Sequence, residues 1–225
     1  MFFHTSIMNY MIQEGLEMSE KNISRAVIKR LPRYYRYLGE LRLQGVKRIS
    51  SGELSDQMQV TASQIRQDLN NFGGFGQQGY GYSVANLYDE IGNILGLNKE
   101  YKIVVVGYGR LGQAMASYIN KNEKQFRIEG IFDVSDKVAG EVFKDVKVYA
   151  INDLKDFVKE NDIEIAVITV PKEKGQMVAD TLVEAGIKGI WNFSSVDLEL
   201  PENIRVENVH MSDSLHALAY YMKDK

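Results

Sequence analysis

A glycine-rich hexapeptide is the part of the chain best suited to bind a ligand. It reads Gly107-Tyr108-Gly109-Arg110-Leu111-Gly112. In such a turn the first glycine permits a tight bend, the second lets a pyrophosphate approach the backbone, and the third lets helix and strand pack closely. Free N–H groups of the following helix then face the phosphates. The hexapeptide alone is also compatible with a glycine turn that binds nothing.

The elements on either side of this turn favour dinucleotide binding. Residues 103–106 form an apolar β-branched run typical of a buried strand, and apolar or small residues follow it at helical spacing. A second predicted strand, residues 127–132, leads to Asp133, 21 residues after Gly112. A carboxylate there can bind the ribose hydroxyls of NAD and repel the extra phosphate of NADP. The sequence therefore predicts an NAD(H) site.

Strand and helix patterns continue to alternate after Asp133, which predicts an α/β, Rossmann-like fold with a parallel sheet covered by helices. The predicted strands are residues 146–149, 163–170, 187–192 and 205–209, and the predicted helices are 153–160, capped by Asn152, and 172–185. Ligands bind at the carboxyl ends of parallel strands. We therefore expect five further residues beside the turn: Thr169, Val170, Pro171, Asn192 and Phe193. A last amphipathic helix, 211–223, has no place in the sheet and is free to pack on a partner.

The N-terminal part predicts a small helical domain with a helix-turn-helix. Ser24 caps a first turn, and Pro32 is expected to begin a helix that runs to about residue 44. Two short helices follow, one capped by Ser50 or Ser51 and ending near residue 58, the other capped by Thr61 and covering 62–69. Aromatic, polar and glycine residues in 72–82 predict a hairpin, the wing of a winged helix.

The second short helix carries side chains suited to reading DNA bases. Ile65 and Leu69 would anchor it, while arginine and glutamine suit contacts with guanine and adenine. The predicted DNA-binding residues are Lys47, Arg48, Ser63, Gln64, Arg66, Gln67, Gln78 and Tyr80, with the four from Ser63 to Gln67 pointing outward. The alternative is a short helical domain with a flexible glycine loop used for protein contacts.

The charge distribution agrees with a polyanion partner for this part. Residues 19–82 hold 10 Lys/Arg and 5 Asp/Glu, a net of +5, whereas the remaining residues hold 17 and 25, a net of −8. A basic segment beside an acidic bulk suits nucleic acid, although a solvated basic helix would give the same count.

Composition excludes several other classes of protein. The chain has no cysteine, so it has no disulfide, thiolate metal site or cysteine redox switch. No apolar run approaches the length of a membrane span, and no secretory signal pattern is present. We expect a cytoplasmic protein with no metal and no membrane partner.

The first 18 residues, with four Met and few charges, differ from the rest. We expect either that Met18 is the true start or that the segment is a short extension. The predicted organisation is an extension at 1–18, a winged-helix domain at 19–83, a connecting helix at 84–98, a Rossmann domain at 99–209 and a C-terminal helix at 210–225.

From about residue 20 onward these motifs resemble the Rex family of redox-sensing transcriptional repressors from Gram-positive bacteria. The resemblance is carried by residues 60–82, 105–114, 169–171, 186–193 and 206–209. It implies a homodimer that exchanges its C-terminal helices, with NAD(H) sites near the dimer interface. It also implies a palindromic operator that is bound in the apo or NAD⁺ state and released by NADH. An apolar nicotinamide pocket of Thr169, Val170, Phe193 and Met211 of the partner subunit is expected to favour the neutral NADH ring.

The resemblance further implies an interdomain switch, and here the chain departs from the pattern. The matching positions are Arg36, Tyr118 and His210, the last of which is an aspartate in the family. Asp213 is a candidate substitute for that acid. Gln67 also replaces a lysine that is common in the recognition helix.

Two other functions fit parts of the sequence. An NAD-dependent oxidoreductase would need a substrate domain and a proton-transfer residue, but only 92 residues follow Asp133 and both late histidines lie by the last helix. A regulator that binds CoA or NADP is disfavoured by the carboxylate of Asp133.

Overall fold

The computed structural model describes residues 23–72 and 80–223, together with the backbone of 76–77. The extension at 1–18, including Met18, lies outside these residues. The chain divides after Asn98 into two compact units, Met1–Asn98 and Lys99–Lys225.

The N-terminal unit combines four helices with three short strands over its described residues. In chain order they are α1 (Arg25–Leu43), β1 (Arg48–Ile49), α2 (Ser51–Met58), α3 (Ala62–Asn70), β2 (Gly76–Gln77), β3 (Gly81–Ser83) and α4 (Val84–Ile94). Their core includes Leu31, Leu38, Leu54, Ile65 and Leu87, each at most 2% exposed.

Helix α1 is longer than the sequence predicts. Ser24 caps it by accepting a hydrogen bond from the N–H of Val27, as expected, but Pro32 lies inside the helix and does not begin it. Proline there removes one backbone hydrogen bond. The helix continues because Leu31 and Tyr34, on either side of Pro32, are buried in the core.

Helices α2 and α3 form the predicted helix-turn-helix. Ser50 is the cap of α2, and it forms a capping box in which the Ser50 Oγ accepts from the Glu53 N–H and the Glu53 carboxylate accepts from the Ser50 N–H. Gln59 ends α2 in the left-handed region, with φ of 53°. Thr61 caps α3, as predicted, by accepting from the N–H of Gln64.

The wing is a three-stranded antiparallel sheet in the order β1-β3-β2. Strand β1 was not predicted. It pairs Arg48 with Ser83 and Ile49 with Tyr82, and so joins the segment before α2 to the wing.

The C-terminal unit alternates strands and helices. Its elements are β4 (Tyr101–Val106), α5 (Arg110–Asn122), β5 (Phe126–Asp133), β6 (Val142–Phe143), β7 (Val146–Ala150), a 3-10 turn (Ile151–Asp153), α6 (Leu154–Glu160), β8 (Ile165–Ile168), α7 (Lys172–Glu184), β9 (Gly189–Asn192), β10 (Arg205–Asn208) and α8 (Met211–Tyr221). Asn152 lies within the 3-10 turn and is not the cap of α6.

The sheet of this unit has the order β10-β9-β8-β4-β5-β7-β6. Its strands are parallel except β6, which forms an unpredicted antiparallel hairpin with β7. The chain moves from β4 to β5 and β7 on one side and later returns to β8 on the other side of β4. Strand order therefore reverses at β4 and β8, where open α/β sheets bind ligands.

Helix α8 buries none of its residues in the described chain. Leu215, Leu218 and Met222 are 64%, 54% and 70% exposed. The described helices include none that is long and apolar enough to span a bilayer.

Candidate functional site

A cleft of ≈ 610 Å³ opens at the carboxyl ends of β4, β5 and β8. Nine of the residues predicted for a cofactor line it: Gly107, Gly109, Arg110, Leu111, Asp133, Thr169, Val170, Pro171 and Phe193. The turn, the acid and the later strand ends, which are far apart in sequence, thus share one cavity.

The turn after β4 is held by close backbone packing. Gly107 has φ of 106°, a value that favours glycine. A Cβ on Gly112 would overlap the carbonyl oxygen of Gly107 and lie 2.9 Å from the Thr169 Oγ1. The Thr169 hydroxyl lies 3.1 and 3.0 Å from the carbonyl oxygens of Val106 and Gly107. Gly112 therefore packs beneath the turn, and Thr169 fixes its position.

Gly109 faces open space. A Cβ there would meet no atom within 4 Å, and its φ of −68° suits any residue. Gly109 is also the N-cap of α5, and no side chain caps the first turn. The N–H groups of that turn remain for an anion, and an anion can approach them closely because residue 109 has no side chain.

Asp133 stands at the end of β5 with its carboxylate anchored. It accepts hydrogen bonds from the N–H of Tyr108 at 2.7 Å and from the N–H of Ser135 at 2.9 Å. One bond falls on each carboxylate oxygen, and an ionised carboxylate has about four acceptor sites. Acceptor capacity therefore remains for a sugar hydroxyl.

Sequence reasoning missed part of the cleft wall. Ten further residues line it: Val106, Phe132, Val134, Ile151, Lys172, Lys174, Met177, Val178, Ser194 and Ser195. Lys172 directly follows the predicted Thr169–Pro171 segment, and Lys174 lies two residues later. The rule places the carboxyl ends of the strands in the cleft. Applied also to the first turn of the helix that follows each strand, it would have included both lysines.

Asn192 lies beneath the cleft and does not line it, which differs from the prediction. It is 1% exposed. Its Nδ2 donates to the carbonyl of Val196 at 2.7 Å and to the Oδ1 of Asn208 at 2.8 Å. Its Oδ1 accepts from the N–H and hydroxyl of Ser194 at 3.0 and 2.6 Å. Asn192 thus shapes the loop that carries Phe193, Ser194 and Ser195 into the cleft.

Tyr108, Gly112 and Met211 are also absent from the described cleft wall. Tyr108 contributes its N–H to Asp133, and its ring packs edge-on against Phe143 at 5.7 Å. Met211 begins α8 and is 59% exposed.

Three of the four predicted switch residues, His210, Tyr118 and Arg36, have local side-chain contacts within their own units. His210 Nε2 lies 3.1 Å from the Asp197 carboxylate, and the Tyr118 hydroxyl donates to Glu123 at 3.3 Å. Asp213 is exposed in the first turn of α8. Arg36 is exposed on α1, with its guanidinium 5.8 Å from the ring centre of Tyr37. A contact of Arg36 with Tyr118 would join the two units and stays a prediction.

In the N-terminal unit, α3 presents an exposed polar face. Ser63, Arg66 and Gln67 are exposed, and Arg66 Nη1 donates to the Ser51 hydroxyl at 2.9 Å. Gln64 differs from the prediction because it is only partly exposed and its amide Nε2 donates to Asp68 at 2.8 Å.

Lys47, Arg48 and Tyr80 extend this surface along the wing. All three are exposed, and Arg48 Nη1 donates to the carbonyl of Tyr80 at 3.1 Å. Gln78 lies outside the described residues.

Sequence reasoning also missed a charged group inside this unit. Asp68 is 0% exposed and pairs with Arg30 on α1, whose Nε lies 2.6 Å from its Oδ2. The Tyr34 hydroxyl donates to the same oxygen at 2.8 Å. Burial and the Asp68 carboxylate both raise the pKa of Tyr34, so Tyr34 stays a donor. Asp68 falls between Ile65 and Leu69 on the core face of α3, and an acid at such a position indicates a buried partner.

Comparison with known families covers both units. The model of a putative DNA-binding protein N-terminus matches residues 22–70, and the model of a CoA binding domain matches residues 98–196.

Relatives align over nearly the whole chain. A redox-sensing transcriptional repressor Rex from Clostridium perfringens (strain SM101) is 55% identical over 203 residues, which are 90% of this chain and 96% of that protein. Its counterpart from Caldicellulosiruptor saccharolyticus is 52% identical over 92% of this chain and 94% of that protein.

Solved structures give the same result. A crystal structure of RSP, a Rex-family repressor, matches with a TM-score of 0.83 at 50% identity, covering 90% of this chain and 95% of that one. RSP in complex with β-NAD⁺ and operator DNA matches with a TM-score of 0.85 at 52% identity, covering 90% and 93%. On these similarities and on the two-unit architecture, the chain belongs to the Rex family of redox-sensing transcriptional repressors.

Proposed function

We propose that this protein is a transcriptional repressor that senses the NADH/NAD⁺ ratio, binds a palindromic operator in its apo or NAD⁺ state, and is released by NADH. The observation that carries the proposal is that one chain holds both a helix-turn-helix with an exposed polar face that includes Arg66 and an α/β cleft with a dinucleotide turn. RSP, about 50% identical, has been crystallised with β-NAD⁺ and operator DNA and also with β-NADH.

The operator would be read by α3 and the wing. Arg66 and Gln67 are exposed on α3. Arginine bonds guanine through two acceptors in the major groove, and the Arg66 guanidinium would exchange its hydrogen bond to Ser51 for a base. Lys47, Arg48 and the wing residues Gln78 and Tyr80 would contact the phosphates, which position the protein without reading sequence.

The cofactor would lie along the turn after β4. Its pyrophosphate would meet the N–H groups beside Gly109, and the ribose next to the adenine would meet Asp133. The cationic side chains in the cleft wall, Arg110, Lys172 and Lys174, supply positive charge for the phosphates. The anchored Asp133 carboxylate would repel a ribose phosphate, which favours NAD(H) over NADP(H) and over CoA.

Redox discrimination would come from the nicotinamide end. Thr169, Val170 and Phe193 give the described cleft a mostly apolar wall there, and Met211 of the partner subunit would complete it. NAD⁺ carries a positive ring and NADH a neutral one, and an apolar pocket disfavours an unpaired charge. Such differential affinity is the only means by which the two forms can shift a conformational equilibrium.

The active form would be a cytoplasmic homodimer. The exposed apolar side chains of α8 give a surface that a second copy can cover. A palindromic operator requires a two-fold symmetric protein. Arg36, Tyr118 and an acid near α8, with Asp213 in place of the family aspartate at His210, would couple the cofactor to the winged helices.

An oxidoreductase is the other function the fold supports, since dehydrogenases use similar clefts. The relatives that cover 90% or more of the chain are named as repressors. We therefore propose regulation and not catalysis.

Thermodynamic linkage gives the decisive experiment. An operator is first selected from random duplexes by the wild-type protein without NADH. NADH affinity is then measured by nicotinamide fluorescence with and without saturating operator, and operator affinity with and without NADH. We expect operator DNA to lower NADH affinity by the same factor by which NADH lowers operator affinity, because coupling between two ligands is reciprocal. If saturating operator leaves NADH affinity unchanged, the cleft does not control DNA binding and the proposal is wrong.

A further inference from the structure

The buried carboxylate of Asp68 lies one helical turn after Gln64 on α3 and accepts four hydrogen bonds. Arg30 donates through Nε to Oδ2 at 2.6 Å and through Nη2 to Oδ1 at 2.7 Å. The Tyr34 hydroxyl donates to Oδ2 at 2.8 Å, and the Gln64 Nε2 donates to Oδ1 at 2.8 Å. Each oxygen therefore receives two bonds, which fills the acceptor capacity of a carboxylate.

This arrangement keeps Asp68 ionised. Burial alone would raise the pKa of Asp68, but the hydrogen bonds from Arg30, Tyr34 and Gln64 outweigh it and hold the pKa below its ordinary value. An ionised carboxylate accepts hydrogen bonds and donates none. A buried ion pair is a weak source of stability compared with apolar packing. Its clearest effect here is geometric, because the two-pronged bond from Arg30 fixes α3 against α1.

The orientation of the Gln64 amide follows from the charge of Asp68. Since Asp68 only accepts, the NH₂ end of the amide must face it. The Gln64 Oε1 has no hydrogen-bond partner among the described residues, and the residue is partly exposed. One oxygen acceptor and one remaining N–H are therefore left side by side, with their order fixed.

We propose that Asp68, held by Arg30 and Tyr34, is a positioning residue that orients Gln64 to read an adenine of the operator. Adenine offers a donor at N6 and an acceptor at N7, which match an oxygen and an N–H in one side chain. Guanine offers two acceptors in the major groove and therefore has no donor there for the Gln64 oxygen. The inference rests on the proposed function and adds a specificity determinant to it.

The test compares base preference and not only affinity. Each A·T pair of the selected operator is replaced by G·C, and affinities are measured by fluorescence anisotropy. We expect wild type to lose about 5- to 150-fold at one pair per half-site, the range for one bidentate contact. Gln64→Ala should bring the ratio of A·T to G·C affinity at that pair close to one. The double variant Arg30→Met, Asp68→Leu keeps Gln64 but removes the acceptor that holds its amide. It should lower the ratio of A·T to G·C affinity at that pair and leave the base preferences at the other pairs unchanged.

Gln57→Ala is the matched control, because Gln57 is an exposed glutamine on α2 that does not contact Asp68. This variant should keep the wild-type ratio of A·T to G·C affinity at every pair of the operator. Circular dichroism checks the fold of each variant, and Asp68→Ala, which offers no acceptor to Gln64, replaces the double variant if that one does not fold.

Two results would overturn the inference: Gln64→Ala keeps every preference of the wild type, or a folded Asp68 variant keeps the preference that Gln64→Ala removes. A wild-type protein that selects no operator would instead refute the proposed function.

Discussion

Replacing Gly109 by alanine should separate cofactor binding from folding. The new Cβ meets no protein atom within 4 Å, and the φ of −68° is allowed for alanine. Alanine restricts the unfolded chain, which stabilises by about 0.4–1 kcal/mol, but it is a poorer N-cap than glycine by a similar amount. The two effects offset each other, so the free energy of unfolding of the apo protein should change by less than about 1 kcal/mol.

The ligand-bound protein should behave differently. A ligand present at 100 times its Kd stabilises the fold by about 2.7 kcal/mol. In Gly109→Ala the methyl group occupies the space through which the pyrophosphate approaches the helix N-terminus, so this stabilisation should disappear at the same NADH concentration. Denaturant unfolding with and without NADH measures both quantities on one sample.

Gly112→Ala provides the contrast, three residues further along. Its Cβ would overlap the carbonyl oxygen of Gly107, so the turn itself must move, and the apo protein should lose about 1–3 kcal/mol or more. The reasoning is refuted if Gly109→Ala retains the full NADH-dependent stabilisation, or if it destabilises the apo protein as much as Gly112→Ala does.

Three further predictions concern single side chains. Arg66→Ala should abolish specific operator binding, with about 1–3 kcal/mol lost for one base contact, and leave NADH binding intact; a gel shift equal to that of wild type would contradict this. Asp133→Ala should weaken NADH binding and reduce the preference of the protein for NADH over NADPH, which fluorescence titration measures. An unchanged ratio of NADH to NADPH affinity would count against ribose binding by Asp133. The folded-state pKa of Asp68 lies below its ordinary value of 3.8, so its stabilisation is present above that pH and is lost as pH falls through the folded-state value. Acid unfolding followed by tyrosine circular dichroism should therefore shift to lower pH in the Arg30→Met, Asp68→Leu variant.

Local sequence patterns were sufficient for most of the fold. The caps at Ser24 and Thr61 are visible in sequence because they depend on neighbours three residues away. The carboxyl ends of β4, β5 and β8 were predictable because parallel strands place them at one edge. Pro32 was misjudged because its local preference for a helix start is weaker than the burial of Leu31 and Tyr34 around it.

Other features depend on contacts between distant residues and left little local signal. Strand β1 has two residues and exists only because β3 pairs with it. Gln64 was expected to point outward from its helical position, but its amide is turned by Asp68, which is itself fixed by a residue 38 positions earlier. The N-terminal extension and Gln78 lie outside the described residues, so those expectations stay predictions.

The hydrogen bonds of Asn192 have a consequence for how the chain tolerates substitution. Its amide uses two donors and two acceptor positions, which bind three residues on two segments, the loop after β9 and strand β10. Aspartate has the same shape but no N–H to donate, and leucine offers neither group. Glutamine carries the same groups on a side chain one methylene longer, and an added methylene at a buried position forces its neighbours to shift. In a saturation-mutagenesis library position 192 should therefore accept almost nothing, although a ligand need never touch it.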